Sequence, residues 1–208
     1  MKTAMVWGAS GGIGQAITNL LNQEGWQVLA ISRHPAGTET YEITAEFDDS
    51  ASVQSAVMEA AMEVDAVNLF IYAAGDIQVS PVREADPASW SRQLNANLTG
   101  AFLTTHHSLP LLTADAHLFY LGAVTERLQL PGFAPYVAAK AGLEAFAAAL
   151  AKEERKRRIT VVRPGAVNTP FWEKVPMRLP KDAASPEKVA RRILDAFVDG
   201  HTGQLDLV

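Results

Sequence analysis

Cysteine is absent from the sequence. That excludes disulfides, a thiolate nucleophile and any cysteine-based metal site, and it fits a reducing compartment. Long hydrophobic runs are also missing, and no apolar stretch approaches the ~20 residues that span a bilayer. Neither sign of charge dominates. The 18 Lys and Arg against 23 Asp and Glu leave a net charge of −5, which gives nucleic acid or an anionic membrane no electrostatic hold. The five histidines show no ligand spacing; His106 and His107 are neighbours pointing to different sides of a helix, so no metal is expected. A strand-like run starts almost at Met1, which leaves no room for a signal peptide and sets the expectation of a cytoplasmic protein. At 208 residues, 48% hydrophobic and 20% charged, the chain suits one domain, 1–208, with a sizeable core.

What the sequence does have is alternation. Strand-like runs are predicted at Thr3–Trp7, Gln27–Ile31, Thr40–Phe47, Val67–Ala73, His117–Leu121, Ile159–Arg163 and Gly203–Leu207. Helical patterns fall between them at Ile13–Gln23, Ser52–Met62, a long stretch near Pro87–Leu112, alanine-rich Ala134–Lys156, and Pro186–Val198. The near-continuous apolar character of Val67–Ala73 is that of a parallel strand covered on both faces. Together these runs predict an α/β fold with a mostly parallel, seven-stranded sheet and helices on both faces. The segment from Val167 to Ser185 is the longest break, and its Phe171, Trp172, Val175 and Met177 are apolar for a loop. Two readings of it stand: a cover over a ligand at the carboxyl end of the sheet, or a short helix packed on the core.

The first strand runs straight into Gly8-Ala9-Ser10-Gly11-Gly12-Ile13-Gly14 and then a helix. Glycines at such a junction let the backbone turn tightly and approach a pyrophosphate, while the free amides and dipole of the helix N-terminus face the negative charge. Further on, Tyr136 and Lys140 stand four apart on one predicted helix and so share a face. An ammonium beside a phenol favours the phenolate and makes the tyrosine a usable acid or base.

Gly8-x3-Gly12-x-Gly14, Ala73-Ala74-Gly75, Asn97 in Asn-Leu-Thr-Gly, Tyr136-x3-Lys140 and Pro164-Gly165 follow one another in this order. In order and spacing they resemble the short-chain dehydrogenase/reductase family over nearly the whole chain. The resemblance implies a Rossmann-type doubly wound fold and hydride exchange between a nicotinamide and a carbonyl or alcohol. Tyr136 would be the general acid/base and Lys140 its modulator and a ribose ligand. Asn97 would anchor a water in the proton relay, besides capping backbone groups at a bend of the long helix. The cofactor would run along Gly8, Ser10, Gly11, Gly12, Ile13 and Gly14, then Ala73, Ala74 and Gly75. Pro164, Gly165, Val167 and Thr169 would hold its carboxamide end. A small-molecule carbonyl or alcohol substrate would lie between Ala123–Thr125, Phe133–Pro135 and Phe171–Met177. In relatives the helix equivalent to Ala134–Lys156 packs on its symmetry mate, so a homodimer or homotetramer is expected.

Cofactor choice falls at the end of the second strand, where an aspartate would bind both ribose hydroxyls and repel a 2′-phosphate. Here Ser32 and Arg33 stand there, a hydroxyl and a guanidinium suited to a phosphate, so NADP(H) is expected over NAD(H). Glu46 aligns with the family's adenine-contacting acid, with Phe47 beside it and Asp48 close enough to compete for the role.

The chain departs from the family at three points. Ala123 occupies the place of the catalytic serine, thirteen residues ahead of Tyr136. The lost hydroxyl is a donor of the kind worth roughly 10²–10³ in rate elsewhere. Thr125 carries the nearest hydroxyl, ~6.5 Å further along an extended chain, and reaches the site only if the backbone turns back after Gly122. Tyr72 replaces an asparagine that in relatives helps stabilise the central strands. The chain also stops soon after the seventh strand, without the glycine-rich tail of many relatives. Ala123 motivates a second reading, an NADP(H)-binding sensor or scaffold with weakened or lost catalysis. The basic run Arg155–Arg158 is read as a solvated helix end complementing the dipole.

Overall fold

The computed structural model describes residues 1–35, 37 and 41–207. Side-chain alternation along the strands separates two cores. In β1 (Thr3–Trp7) Met5 and Trp7 point to one face and Ala4 and Val6 to the other, as the two-residue period of a strand requires. The same parity holds in β2 (Gln27–Ser32), β4 (Val67–Tyr72) and β5 (Leu112–Leu121), whose Leu29, Phe70 and Tyr120 join Met5 while Val28, Ile71 and Phe119 join Ala4. β3 (Tyr41–Thr44), β6 (Arg158–Pro164) and β7 (Gly203–Leu207) complete the sheet. Its order is β3-β2-β1-β4-β5-β6-β7, and every pairing is parallel.

Helices bury the two faces. α1 (Gly12–Gln23) and α6 (Pro186–Asp199) cover the Ala4 face through Ile17, Leu21, Val189 and Ile193. α2 (Ser50–Glu63), α4 (Gly100–Ser108) and α5 (Ala134–Glu153) cover the other through Val53, Ala101, Leu143 and Ala147. Strand order reverses direction between β1 and β4, so a crevice opens beyond their carboxyl ends, where doubly wound sheets bind ligands.

Several elements differ from the sequence expectation for identifiable reasons. The expected start of the third strand, Thr40, lies outside the described residues, and the ladder ends at Thr44, short of Phe47. β5 begins at Leu112 rather than His117, with a register shift against Val67 and Leu69 that its exposed Ala114 and Asp115 conceal. The long helix is three pieces. α3 (Pro87–Leu94) runs into a π-helical turn, Asn95–Thr99, then α4, and a 3-10 turn Leu109–Leu111 closes the stretch. α5 stops at Glu153. Arg157 is not solvated: its guanidinium donates to the carbonyls of Leu109, Leu112 and Thr113 at 3.1, 3.0 and 3.1 Å and pairs with Glu154 at 2.6 Å. In the segment after β6, Pro170–Lys174 is a short 3-10 helix, as the second reading has it, and its Phe171 and Trp172 line the crevice. Among the described residues no helix is long and apolar enough to cross a membrane, and no cluster of His, Asp and Glu could hold a metal.

Candidate active site

A cavity of about 630 Å³ occupies the crevice. Its floor begins at the turn between β1 and α1. Gly8 has φ +87°, and a Cβ there would lie 2.6 Å from the Ala74 nitrogen, so only glycine allows the turn to nest against the segment after β4. A Cβ on Gly12 would strike the Thr169 side chain at 2.6 Å. Gly11 caps α1 without any side-chain hydrogen bond, and the first turn carries no acidic residue. Its amides and dipole are therefore left for an anion. Gly8, Ser10, Gly11, Gly12 and Ile13 line the cavity; Gly14 does not, because it packs directly under the Gly8 carbonyl.

The wall beyond β2 carries Ser32, buried, and Arg33, exposed and without an ion pair among the described residues. Glu46, Phe47 and Asp48 all reach the cavity. Phe47 turns its ring into the core, edge-on to Trp7 at 5.5 Å, and Asp48 accepts from the Asn95 amide at 3.1 Å. Ala73, Ala74 and Gly75 line the middle, and Pro164, Gly165, Val167 and Thr169 the far side.

Tyr136 and Lys140 share the cavity face of α5, both buried. The Lys140 ammonium nitrogen lies 5.7 Å from the centre of the Tyr136 ring and donates to the Leu121 carbonyl at 2.6 Å. Burial lowers the Lys140 pKa to about 8, against an opposing pull from the Glu144 carboxylate. Burial pushes the Tyr136 phenol up. In the protein alone, burial sets the Tyr136 pKa and the expected lowering by Lys140 does not show.

Asn97 is fully buried and does not line the cavity. Its Nδ2 donates to the Asp76 and Gln93 carbonyls at 2.6 and 2.8 Å, while its Oδ1 has no partner. That oxygen lies 2.8 Å, and the Lys140 nitrogen 3.6 Å, from the point a Cβ on Gly75 would occupy. The two polar groups therefore flank one spot behind the cavity wall.

Around Tyr136 the lining is apolar, with Ile77, Ala123, Phe133 and Val175 forming a small buried cluster and Phe171 at 6.0 Å from the Tyr136 ring. Thr125, the nearest hydroxyl in sequence, is buried and does not line the cavity. The chain turns after Val124 into a 3-10 helix, Thr125–Arg127. Of the segments expected around a substrate, Ala123, Val124, Phe133 and Phe171–Met177 contribute lining residues, whereas Ala134 and Pro135 do not. Sequence reasoning missed Arg92, Arg127 and Lys174, which reach the cavity from three separate elements. Lys174 and Arg92 share the Asp76 carboxylate at 2.6 and 3.3 Å, tying the Pro170–Lys174 turn to the loop after β4.

This architecture has many counterparts. An alcohol dehydrogenase from the archaeon Thermococcus sibiricus, solved with 5-hydroxy-NADP, superposes with a TM-score of 0.90 at 22% identity, covering 100% of this chain and 96% of that one. In sequence, the chain is 26% identical to the 3-oxoacyl-(acyl-carrier-protein) reductase of Bos taurus over an alignment of 228 positions including gaps, covering 99% of this chain and 96% of the relative. It is 27% identical to the enzyme of the same name from Thermotoga maritima over an alignment of 220 positions, covering 93% and 89%. The family model described as short chain dehydrogenase matches residues 2–179, and the chain belongs to that family of nicotinamide-dependent oxidoreductases.

Proposed function

We propose that the protein, acting as one domain over residues 1–208, is an NADP(H)-dependent oxidoreductase that interconverts a carbonyl and an alcohol, with Tyr136 as general acid/base. The observation that carries this reading is a single cavity joining a helix N-terminus with no side-chain cap, the exposed Arg33 guanidinium and a buried tyrosine–lysine pair. The site fits the cofactor: the cavity floor at Gly11–Ile13 presents helix amides with no side-chain cap, and the orphaned Asn97 oxygen and the Lys140 nitrogen flank one spot beside Gly75. The α1 amides would hold the pyrophosphate, and Ser32 and Arg33 the 2′-phosphate. Glu46 or Asp48 would take the adenine, Ala73 to Gly75 the adenosine side, and Val167 and Thr169 the carboxamide. When bound, NADPH supplies the hydride that adds to the substrate carbon.

The chain itself supplies the proton. Burial keeps Tyr136 protonated at neutral pH, so it is loaded to donate its phenolic proton to the carbonyl oxygen as that oxygen gains charge. Lys140, held by the Leu121 carbonyl, places a cation beside the phenolate that results. Lys140 would pass a proton back to the Tyr136 phenolate, and a water held by Asn97 Oδ1 would reload Lys140 from solvent. Apolar side chains around Tyr136 exclude bulk water and favour an apolar substrate. The setting is the cytoplasm and the assembly a homodimer or homotetramer.

The test is NADPH oxidation against aldehydes, ketones and quinones. Turnover by wild type that falls at least ~100-fold in Tyr136→Phe supports the reductase. A wild type that binds NADPH yet reduces nothing favours the sensor or scaffold reading that Ala123 motivates.

A further inference from the structure

The π-helical turn Asn95–Thr99 creates a bonding deficit. In an α-helix the Gly100 amide would bond to the carbonyl of Ala96, four residues back. Here it bonds to Asn95, five back, leaving Ala96 without its α-helical donor. The Tyr72 hydroxyl, from the end of β4, donates to that carbonyl at 2.7 Å. Tyr72 is fully buried, and burial pushes its phenol up, so it stays a donor at every working pH. Its oxygen also sits where a Cβ on residue 100 would be, so Gly100 makes room for it. Phe47 packs on the Tyr72 ring at 6.4 Å and on Trp7, which fixes the ring against β1.

We infer that Tyr72 and Gly100 form a matched pair that pins the π turn in register and thereby aims Asn97 at Lys140; Tyr72 is a positioning residue that acts through Asn97. Asn97 lies inside the turn, one residue after the carbonyl that Tyr72 holds. An inserted residue in a helix is free to migrate along it unless something outside the helix selects its place. Moving it by one residue rotates the neighbouring side chains by about 100° about the helix axis. Asn97 would then lose its bonds to the Asp76 and Gln93 carbonyls, and its Oδ1 would leave the spot it shares with Lys140. The tyrosine at this position thus does what a strand-stabilising asparagine is not long enough to do. It reaches across from the sheet to the helix that carries the relay residue.

The kinetic half of this inference rests on the reductase reading; the positional half does not. In ¹⁵N-labelled protein, Tyr72→Phe keeps the ring and removes only the hydroxyl. The side-chain amide resonances of Asn97 are expected to shift or broaden, and the Gly100 backbone amide to exchange faster. Unchanged resonances and exchange would overturn the proposal whether or not any carbonyl is reduced. With a turned-over carbonyl, Tyr72→Phe is expected to lower kcat roughly 3- to 10-fold, the factor carried by one buried hydrogen bond, with the KM for NADPH unchanged. In an Asn97→Ala background the same substitution should cost nothing further in kcat. Equal losses in both backgrounds would mean that Tyr72 acts through overall packing, and would also overturn the assignment. A wild type inactive on every carbonyl defeats the reductase reading, and the resonances still decide the positional claim.

Discussion

The ammonium of Lys140 is bonded to the carbonyl of Leu121, 2.6 Å away, at the point where β5 gives out. A backbone carbonyl is a fixed acceptor, so the bond sets the height of Lys140 over the Tyr136 ring. Burial lowers the Lys140 pKa from the ordinary 10.5 to about 8, opposed only in part by the Glu144 carboxylate.

That shift makes stability depend on pH. The folded protein releases the Lys140 proton near pH 8, whereas the unfolded chain holds it to about 10.5. Between those values the unfolded state binds more protons, so raising the pH favours the folded form. Wild type is expected to gain stability relative to Lys140→Met by up to roughly 1.4 kcal/mol per pH unit within that window. Urea midpoints of both proteins at pH 7, 8, 9 and 10 measure the gain; parallel curves would show that Lys140 titrates normally.

On the NADP(H) reading proposed above, Arg33 would govern cofactor choice through the 2′-phosphate. A charge-assisted fork to a phosphate is lost in Arg33→Ala, while nothing is lost toward a plain ribose. NADPH affinity should fall roughly 10- to 100-fold, with NADH affinity nearly unchanged. Fluorescence titration with both nucleotides measures the ratio. A parallel loss for both would place Arg33 outside the phosphate contact and leave Ser32 to account for any preference.

The sheet was legible because parallel strands buried on both faces must be apolar at nearly every position, as Ala4–Trp7 and Leu69–Tyr72 are. The glycine turn and the Tyr136–Lys140 pair were legible for a related reason, since backbone approach and a shared helix face impose short, fixed spacings. The π turn was not. One inserted residue barely alters a pattern in which Leu98 and Ala101 still fall inward, and what selects it lies 24 residues away at Tyr72. Tyr72 was visible only as a departure from the family pattern, with no indication of its partner. The Asp76–Lys174 tie, spanning 98 residues, left no local trace at all. Asn97 belonged to the constellation, but its burial away from the cavity lining left no trace in the spacing.

Ala123 invites restoration of the missing donor. It lies in the buried cluster with Ile77, Phe133 and Tyr136, and Thr125 is buried without lining the cavity. Ala123→Ser adds one hydroxyl beside the reacting oxygen and should raise kcat about tenfold or more, short of the 10²–10³ lost when such donors are removed from enzymes built around them. Measured on any carbonyl that wild type reduces, an unchanged or lowered kcat would show that the cavity is shaped for a donor-free wall and that Tyr136 alone supports the developing charge.

The last strand depends on a single guanidinium. Arg163, at the end of β6, is nearly buried and donates through Nε and Nη2 to both oxygens of Asp206 in β7, at 2.7 and 2.9 Å. The same group reaches Glu126 of the turn after Ala123 at 3.0 Å and Glu144 of α5 at 3.5 Å. One residue therefore joins the edge strand to two segments that frame the cavity. β7 is otherwise held by its parallel ladder with β6 and by the half-buried Leu205 and Leu207 packed against the core. Arg163→Met keeps much of the bulk and removes the charge, leaving Glu144 partly buried beside Glu126 with no cation between them. Breaking a fully buried pair costs about 3–5 kcal/mol, but Asp206 and Glu126 are solvent-exposed and discount that figure. A loss of about 2 kcal/mol in unfolding free energy is expected, with amide exchange in Gly203–Leu207 accelerated more than in β1. A loss below ~0.5 kcal/mol, the range of ordinary surface substitutions, would mean that backbone pairing alone retains the strand.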